Sequence, residues 1–219
     1  MPSQSPSLSP QIFKIVFEDD DIFVIEKCSS FLSQAGDQGR SEGLDQFMAR
    51  TLKRPIYPVH RLDRDVLGLM IFAKSPAMAD ALSLLFKERK IKKTYWARVR
   101  GCPREREATL VHYLKKNPRN NHVTVYPRET AGAKRAELRY RVISQSDVTS
   151  DLEIDLITGR SHQIRAQLAK LGHALIGDTR YGRKDDVKER ICLKSIHLSF
   201  PHPRSALKMT FSLKKGFEE

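Results

Sequence analysis

The sequence predicts an α+β fold, with one large, mostly antiparallel sheet and a few helices inserted between its strands. Three observations carry this. Short β-rich runs recur along almost the whole 219-residue chain. Only three stretches show helical spacing. The most continuous apolar run, 67–73, has β-branched and aromatic members and suits a strand covered on both faces.

Taken in order, 12–17 and 22–25 are β-rich runs split by Glu18-Asp19-Asp20-Asp21, the pattern of a hairpin with an acidic turn. Ser41 stands where it can cap a helix carrying Leu44, Phe47, Met48 and Leu52 at helical spacing. The buried strand 67–73 follows. Ser75-Pro76 then gives a helix start, serine as N-cap and proline at the first helical position. This helix runs to about Glu88, with Met78, Ala81, Leu82, Leu85 and Phe86 as its apolar stripe. Further strands are expected at 94–99, 110–114, 122–126, 135–143 and 151–157. Thr158-Gly159-Arg160-Ser161 leads into a helix over 162–171, with Ile164, Leu168 and Leu171 buried and Gly172 at C′. The charged segment 183–190 reads as an exposed loop or short helix, and strands at 191–200 and 207–213 close the sheet.

Composition bounds the partners. Lys and Arg number 39 against 26 Asp and Glu, a formal net charge of +13. Such an excess suits a solubilising surface, a nucleic acid or an acidic lipid surface. No strongly amphipathic basic helix with exposed aromatics accompanies it, and no apolar run approaches the length that spans a bilayer. The cysteines, Cys28, Cys102 and Cys192, are odd in number and lack metal-ligand spacing. They read as reduced thiols in a cytoplasmic protein, without a disulfide framework or a zinc site. Residues 1–11 form a Ser/Pro-rich segment without a signal-peptide core, expected to be a flexible tail, with 12–219 as one domain.

Three constellations carry chemistry. His60-Arg61-Leu62-Asp63-Arg64-Asp65 precedes the buried strand. If extended, it places Arg61 and Asp63 on one face and Leu62 on the other, a carboxylate beside a guanidinium; a solvated charged turn is the alternative. Ile91 through Gly101 interleaves basic and aromatic residues. Alternation puts Tyr95, Ala97 and Val99 on one face, where Tyr95 is either a core tyrosine or a stacking platform for an unpaired base. In 157–165, a glycine turn offers a helix N-terminus to an anion, with Arg160 and His162 as added donors and Arg165 at the edge of the apolar stripe. A capped helix with surface arginines is the other reading.

In this order the three constellations resemble the RluA-type pseudouridine synthases. Pro58-Val59-His60-Arg61-Leu62-Asp63 is similar to that family's His-Arg-Leu-Asp motif. Residues 93–101 are similar to its Lys-x-Tyr-x-Ala-x-Val-x-Gly motif, and 156–165 to its Leu-x-Thr-Gly-Arg-x-His-Gln-Ile-Arg motif. Leu171-Gly172-His173-Ala174-Leu175-Ile176-Gly177-Asp178 and Tyr181-Gly182 resemble the segment that follows. The resemblance implies the pseudouridine synthase fold, a mixed sheet with flanking helices and a central cleft, without the small N-terminal RNA-binding domain that some relatives carry. It implies Asp63 as the essential carboxylate, Tyr95 stacked on the target uracil, and Arg165 paired with Asp63. It further implies that Arg61 fills the hole left by a flipped nucleotide. His60, Arg64, Lys93, Arg160 and His162 would give further RNA contacts. Structured RNA, rRNA or tRNA, is the expected partner of a monomer that needs no metal, cofactor or membrane.

Three departures stand out. Val66-Leu67-Gly68 replaces the usual Thr-Ser-Gly, Lys27-Cys28 replaces Lys-Pro, and Leu193-Lys194-Ser195 replaces Leu-His-Ala. The lost hydroxyls after Asp63 keep a second reading open, a catalytically silent RNA-binding or ribosome-assembly protein with the same fold.

Overall fold

Two neighbouring strands explain why this chain builds a sheet with a core on each side. In the computed structural model, which describes residues 12–35, 42–184 and 190–217, the run 67–73 is buried at every position. Its even-numbered Met70 and Phe72 enter one apolar cluster, and Leu69, Ile71 and Ala73 enter another on the opposite face. The preceding hairpin strand divides the same way, with Phe23 and Ile25 on one side and Ile22 and Val24 on the other. Side chains of a strand alternate between faces, so a strand wedged between two cores must be apolar throughout.

The described elements run β1 (Phe13–Glu18), β2 (Ile22–Lys27), α1 (Leu44–Leu52), β3 (Tyr57–Pro58), β4 (Leu67–Ala73) and α2 (Pro76–Lys87). There follow β5 (Lys92–Arg100), β6 (Glu107–Lys116), β7 (Val123–Tyr126), β8 (Lys134–Gln145), β9 (Thr149–Leu156), α3 (Gln163–Lys170), β10 (Leu193–Pro201) and β11 (Lys208–Ser212). One sheet holds all the strands in the order β1-β2-β4-β10-β5-β9-β8-β6-β7, with β11 on β10 and β3 on β4. Every pairing is antiparallel except β4 with β10, so the sheet is mixed and mostly antiparallel as expected. The fold is α+β. Among the described residues no helix is long and apolar enough to cross a membrane, and Cys28 and Cys102 are free thiols.

The parallel seam needs a glycine. Gly68 has φ +108°, and a Cβ there would lie 2.1 Å from the Ser195 carbonyl oxygen. Only a residue without a side chain permits β4 to approach β10 this closely while adopting that backbone.

Local signals explain most boundaries. Ser75 accepts a hydrogen bond from the Met78 amide at 3.2 Å, and Pro76 opens α2. The helix lays Met78 and Leu82 on the second core. Helix α1 departs from expectation at its start. Its N-cap is Gly43, with no side-chain cap, and Ser41 lies outside the described residues, as do residues 1–11 and 185–189. Leu171 is also corrected. It is 42 % exposed because α3 ends at Lys170 and the chain reverses at Gly172, φ +92°. The short helix is instead buried from Gln163 to Leu168 and is not amphipathic along a single stripe.

Candidate active site

The segment ahead of β4 is extended and then turns, with Leu62 in the core at 4 % exposure and Arg61 facing solvent. Ser33 fixes Leu62 from both sides, its hydroxyl donating to the Leu62 carbonyl at 2.7 Å and accepting from the Leu62 amide at 3.0 Å. The turn closes by a bond from the Val66 amide to the Asp63 carbonyl at 3.1 Å. Beneath it lies Lys27, fully buried at the end of β2. Its ammonium donates to the carbonyls of Asp63 at 3.0 Å, Val66 at 2.9 Å, and Arg64. Burial pulls its pKa down to about 8 against the opposing pull of Asp65 and Asp63. The two hydroxyls lost at Val66 and Leu67 are therefore not needed to fix the turn; both residues are buried apolar anchors, at 2 % and 5 % exposure.

Asp63 leans out of this turn with its side chain 21 % exposed, against α3. Arg165 donates from Nη1 to Asp63 Oδ2 at 3.1 Å. Its other two nitrogens engage Asp178, Nε donating to Oδ2 at 2.8 Å and Nη2 to Oδ1 at 2.9 Å. The bidentate pair leaves one arm of the guanidinium for Asp63 and fixes its direction. Asp178 also accepts the amides of Arg180 at 3.0 Å and Tyr181 at 3.1 Å. Burial alone would raise the Asp178 pKa, but Arg165 and these amides outweigh it and hold the carboxyl below its ordinary range. His162 approaches from the same side, its Nε2 4.0 Å from Asp63 Oδ1.

The turn 158–161 is built from the side chain of Gln163. Its Oε1 accepts from the Thr158 hydroxyl at 2.8 Å and from the Arg160 amide at 2.9 Å, and its Nε2 donates to the Glu137 carbonyl at 3.0 Å. The anion cradle expected there is thus partly filled by the protein itself. Arg160 spends Nε on the Arg135 carbonyl, 3.0 Å away.

These parts surround a cleft of about 590 Å³. Of the residues singled out from sequence, His60, Arg61, Asp63, Lys93, Tyr95, Arg160, His162 and Arg165 all line it; Arg64 is exposed outside it. Tyr95 is 6 % exposed on the face shared with Ala97 and Val99. Burial, and then the charge of Asp63, push its phenol pKa upward, so the ring lines the cleft as a neutral phenol. Lys93 lies over the Phe86 ring, Nζ 5.7 Å from its centroid, and burial pulls its pKa to about 8. His60 belongs more to the scaffold than to the opening. Its Nε2 accepts from the Ile71 amide at 2.9 Å and its ring stacks on Phe86 at 4.8 Å. Burial, with Lys93 second, pushes its pKa to about 3, so the ring is neutral. Exposed Arg61, Lys87, Arg89, Lys116 and Arg160 rim the cleft.

Sequence reasoning assigned no role to Lys27, Asp178 or Tyr181. Lys27 ends a strand and its partners lie 36 to 39 positions away; a charged residue closing an otherwise apolar strand was the available signal. Lys27→Met removes the three bonds; the Asp63 carbonyl keeps the Val66 amide, while the buried Val66 carbonyl loses its ammonium partner. The substitution is expected to cost about 2 kcal/mol of stability, because loss of a buried charge offsets part of the penalty. A urea melt with an unchanged midpoint would contradict this.

Comparison with known proteins identifies the family and the fold. The family described as RNA pseudouridylate synthase matches residues 21–170. The chain is 32 % identical over 213 residues to the dual-specificity RNA pseudouridine synthase RluA of Vibrio cholerae serotype O1, covering 94 % of this chain and 83 % of that protein. It is 30 % identical over 222 residues to the RluA of Haemophilus influenzae, covering 97 % of each. A third relative is the mitochondrial tRNA pseudouridine(32) synthase of Saccharomyces cerevisiae, 34 % identical over 181 residues; the match spans 82 % of this chain but 39 % of that longer protein. The solved structure of human RNA Pseudouridylate Synthase Domain Containing 1 superposes with a TM-score of 0.77 over 97 % of this chain and 86 % of its own, at 24 % identity, and shows the shared fold.

Proposed function

The chain belongs to the RNA pseudouridylate synthase family, RluA type, and we propose that it isomerises uridine to pseudouridine in structured RNA with Asp63 as its reacting carboxylate. The observation that carries the reading is a carboxylate held by a buried guanidinium beside a neutral tyrosine, inside a cleft rimmed with cations. The target base lies within RNA structure, so it must be extruded to reach such a pocket. Arg165 aims Asp63, whether the carboxylate attacks the sugar or removes a proton from it. The uracil must detach at nitrogen, turn and rejoin through carbon, and Tyr95 offers it a flat surface while it does so. Loss of the proton at C5 completes the isomerisation.

Arg61, Arg64, Lys93 and Arg160 are the proposed RNA contacts. Arg61 is placed to fill the gap that the extruded nucleotide leaves. Residues 12–219 are taken as one catalytic domain. Relatives named for a tRNA position and for the ribosomal large subunit make tRNA and rRNA the substrates to test first. The purified protein incubated with unmodified tRNA and rRNA is expected to yield pseudouridine; RNA binding with no product from any cellular RNA would favour the silent alternative. Affinity should also fall steeply with salt. A footprint of about six phosphates loses about 10³-fold between 50 and 200 mM salt. Binding indifferent to salt would contradict the role given to the basic rim.

A further inference from the structure

Asp63 has two oxygens, and among the described residues only one is held directly. Oδ2 receives Arg165, while Oδ1 faces His162 Nε2 across 4.0 Å. His162 is the N-cap of α3 and has φ +50°, a left-handed backbone that a non-glycine residue adopts at a cost. Something must hold it there, and the visible restraint is Tyr181. The Tyr181 hydroxyl lies 2.9 Å from His162 Nδ1 and also 2.9 Å from the Val123 amide.

These contacts decide where the imidazole proton sits. The Val123 amide can only donate, so the phenol oxygen accepts from it. If Nδ1 also carried a proton, the phenol's own hydrogen would have no partner among these groups. If the phenol donates to Nδ1, every group is satisfied and the neutral ring must be protonated on Nε2. The ring is neutral because burial lowers its pKa, aided by Arg165 and Arg180 and opposed by Asp63 and Asp178. Tyr181 also carries the other partner of Asp63. The Arg165 guanidinium lies over its ring, 5.3 Å from the centroid, and its own amide is anchored on Asp178. Both groups that face Asp63 therefore rest on one tyrosine.

Resting on the reading of Asp63 given above, we infer that Tyr181 locks His162 as its Nε2–H tautomer, and that this N–H holds Asp63 Oδ1 while Arg165 holds Oδ2. Site hydrogen bonds that are long in the free protein commonly shorten in the substrate complex, and this gap needs to close by about 1 Å. A neutral donor suits the task. It orients the second oxygen without placing another full positive charge beside the carboxylate, which would weaken it as nucleophile or base. His162 is thus a positioning residue and not a contact to RNA, and Tyr181 is its support.

The first test does not depend on activity. Imidazole nitrogen NMR of the full chain at neutral pH is expected to show His162 protonated on Nε2, with that preference lost in Tyr181→Phe. Protonation on Nδ1 in the wild type, or an unchanged tautomer in the variant, overturns the inference. The second is kinetic. His162→Asn is the substitution of choice because asparagine tolerates the left-handed backbone. It and Tyr181→Phe are each expected to lower kcat about 10- to 100-fold, the range for a lost hydrogen bond to a charged group. KM should hardly change, and the double variant should be little worse than either single one. A rise in KM at constant kcat makes His162 an RNA contact and overturns the proposal. A wild type that forms no pseudouridine removes the function given to Asp63, and the tautomer measurement still decides the hydrogen-bond arrangement.

Discussion

Asp63→Asn is expected to abolish pseudouridine formation while leaving the fold and the RNA affinity in place. Asparagine has the same shape, and its amide oxygen can still accept from Arg165 Nη1. The turn survives because Lys27 grips main-chain carbonyls, which the substitution does not alter. What disappears is the negative charge that must attack the sugar or take its proton. The expected loss is at least about 10³-fold in the single-turnover rate, on the order of 4 kcal/mol in the barrier. RNA affinity should hold or rise slightly, since a negative charge leaves a cleft that receives phosphates. A variant within tenfold of the wild-type rate would remove Asp63 from the chemistry.

The largest stability effect is expected from Asp178→Ala. The Asp178 side chain is fully buried, satisfies two donors of Arg165 and takes two further amides. Removing one partner of a buried pair strands the other, at a cost of about 3–5 kcal/mol. For a chain of this size that lowers the melting temperature by roughly 10 °C. Asp63 still faces Arg165, which places the cost toward the lower end. The pH dependence has a definite sign. The folded pKa of Asp178 is depressed, so its stabilisation is fully present above the unfolded value of about 3.9 and is lost as pH falls through the folded pKa. Wild type should therefore lose stability more steeply than the variant below about pH 4. A variant that melts within about two degrees of wild type, or acid profiles that run parallel, would refute the buried-pair account.

Much of the architecture could be read from local chemistry. The Ser75-Pro76 start of α2, the double-faced burial of β4 and the alternation along β5 are written in neighbouring residues. The motif residues Asp63, Tyr95 and Arg165 do line one cleft. What escaped depends on partners distant in sequence. Alternation says that Lys27 points inward but not that three carbonyls of the 63–66 turn await it. The spacing of Arg165 and Asp178 crosses the end of α3 and a reversal at Gly172, which no periodicity crosses. His60, read as an RNA contact, has its Nε2 engaged by the Ile71 amide, because the segment before β4 folds back along that strand. Leu171 looked buried because helical spacing was carried one residue past the helix.

The position of β10 has a consequence for how the chain is made. It is among the last strands in sequence, yet it lies between β4 and β5, and no other pairing joins the hairpin side of the sheet to the β5–β9 side among the described residues. A ribosome delivering this protein from its N-terminus must release β1 to β9 before the strand that unites them has been synthesised. Until then two partial sheets coexist with raw inner borders, the apolar β4 on one side and Tyr95 with Trp96 on the other. Parts of the cleft lie on each side of that gap, so it comes into being only after β10 has been translated.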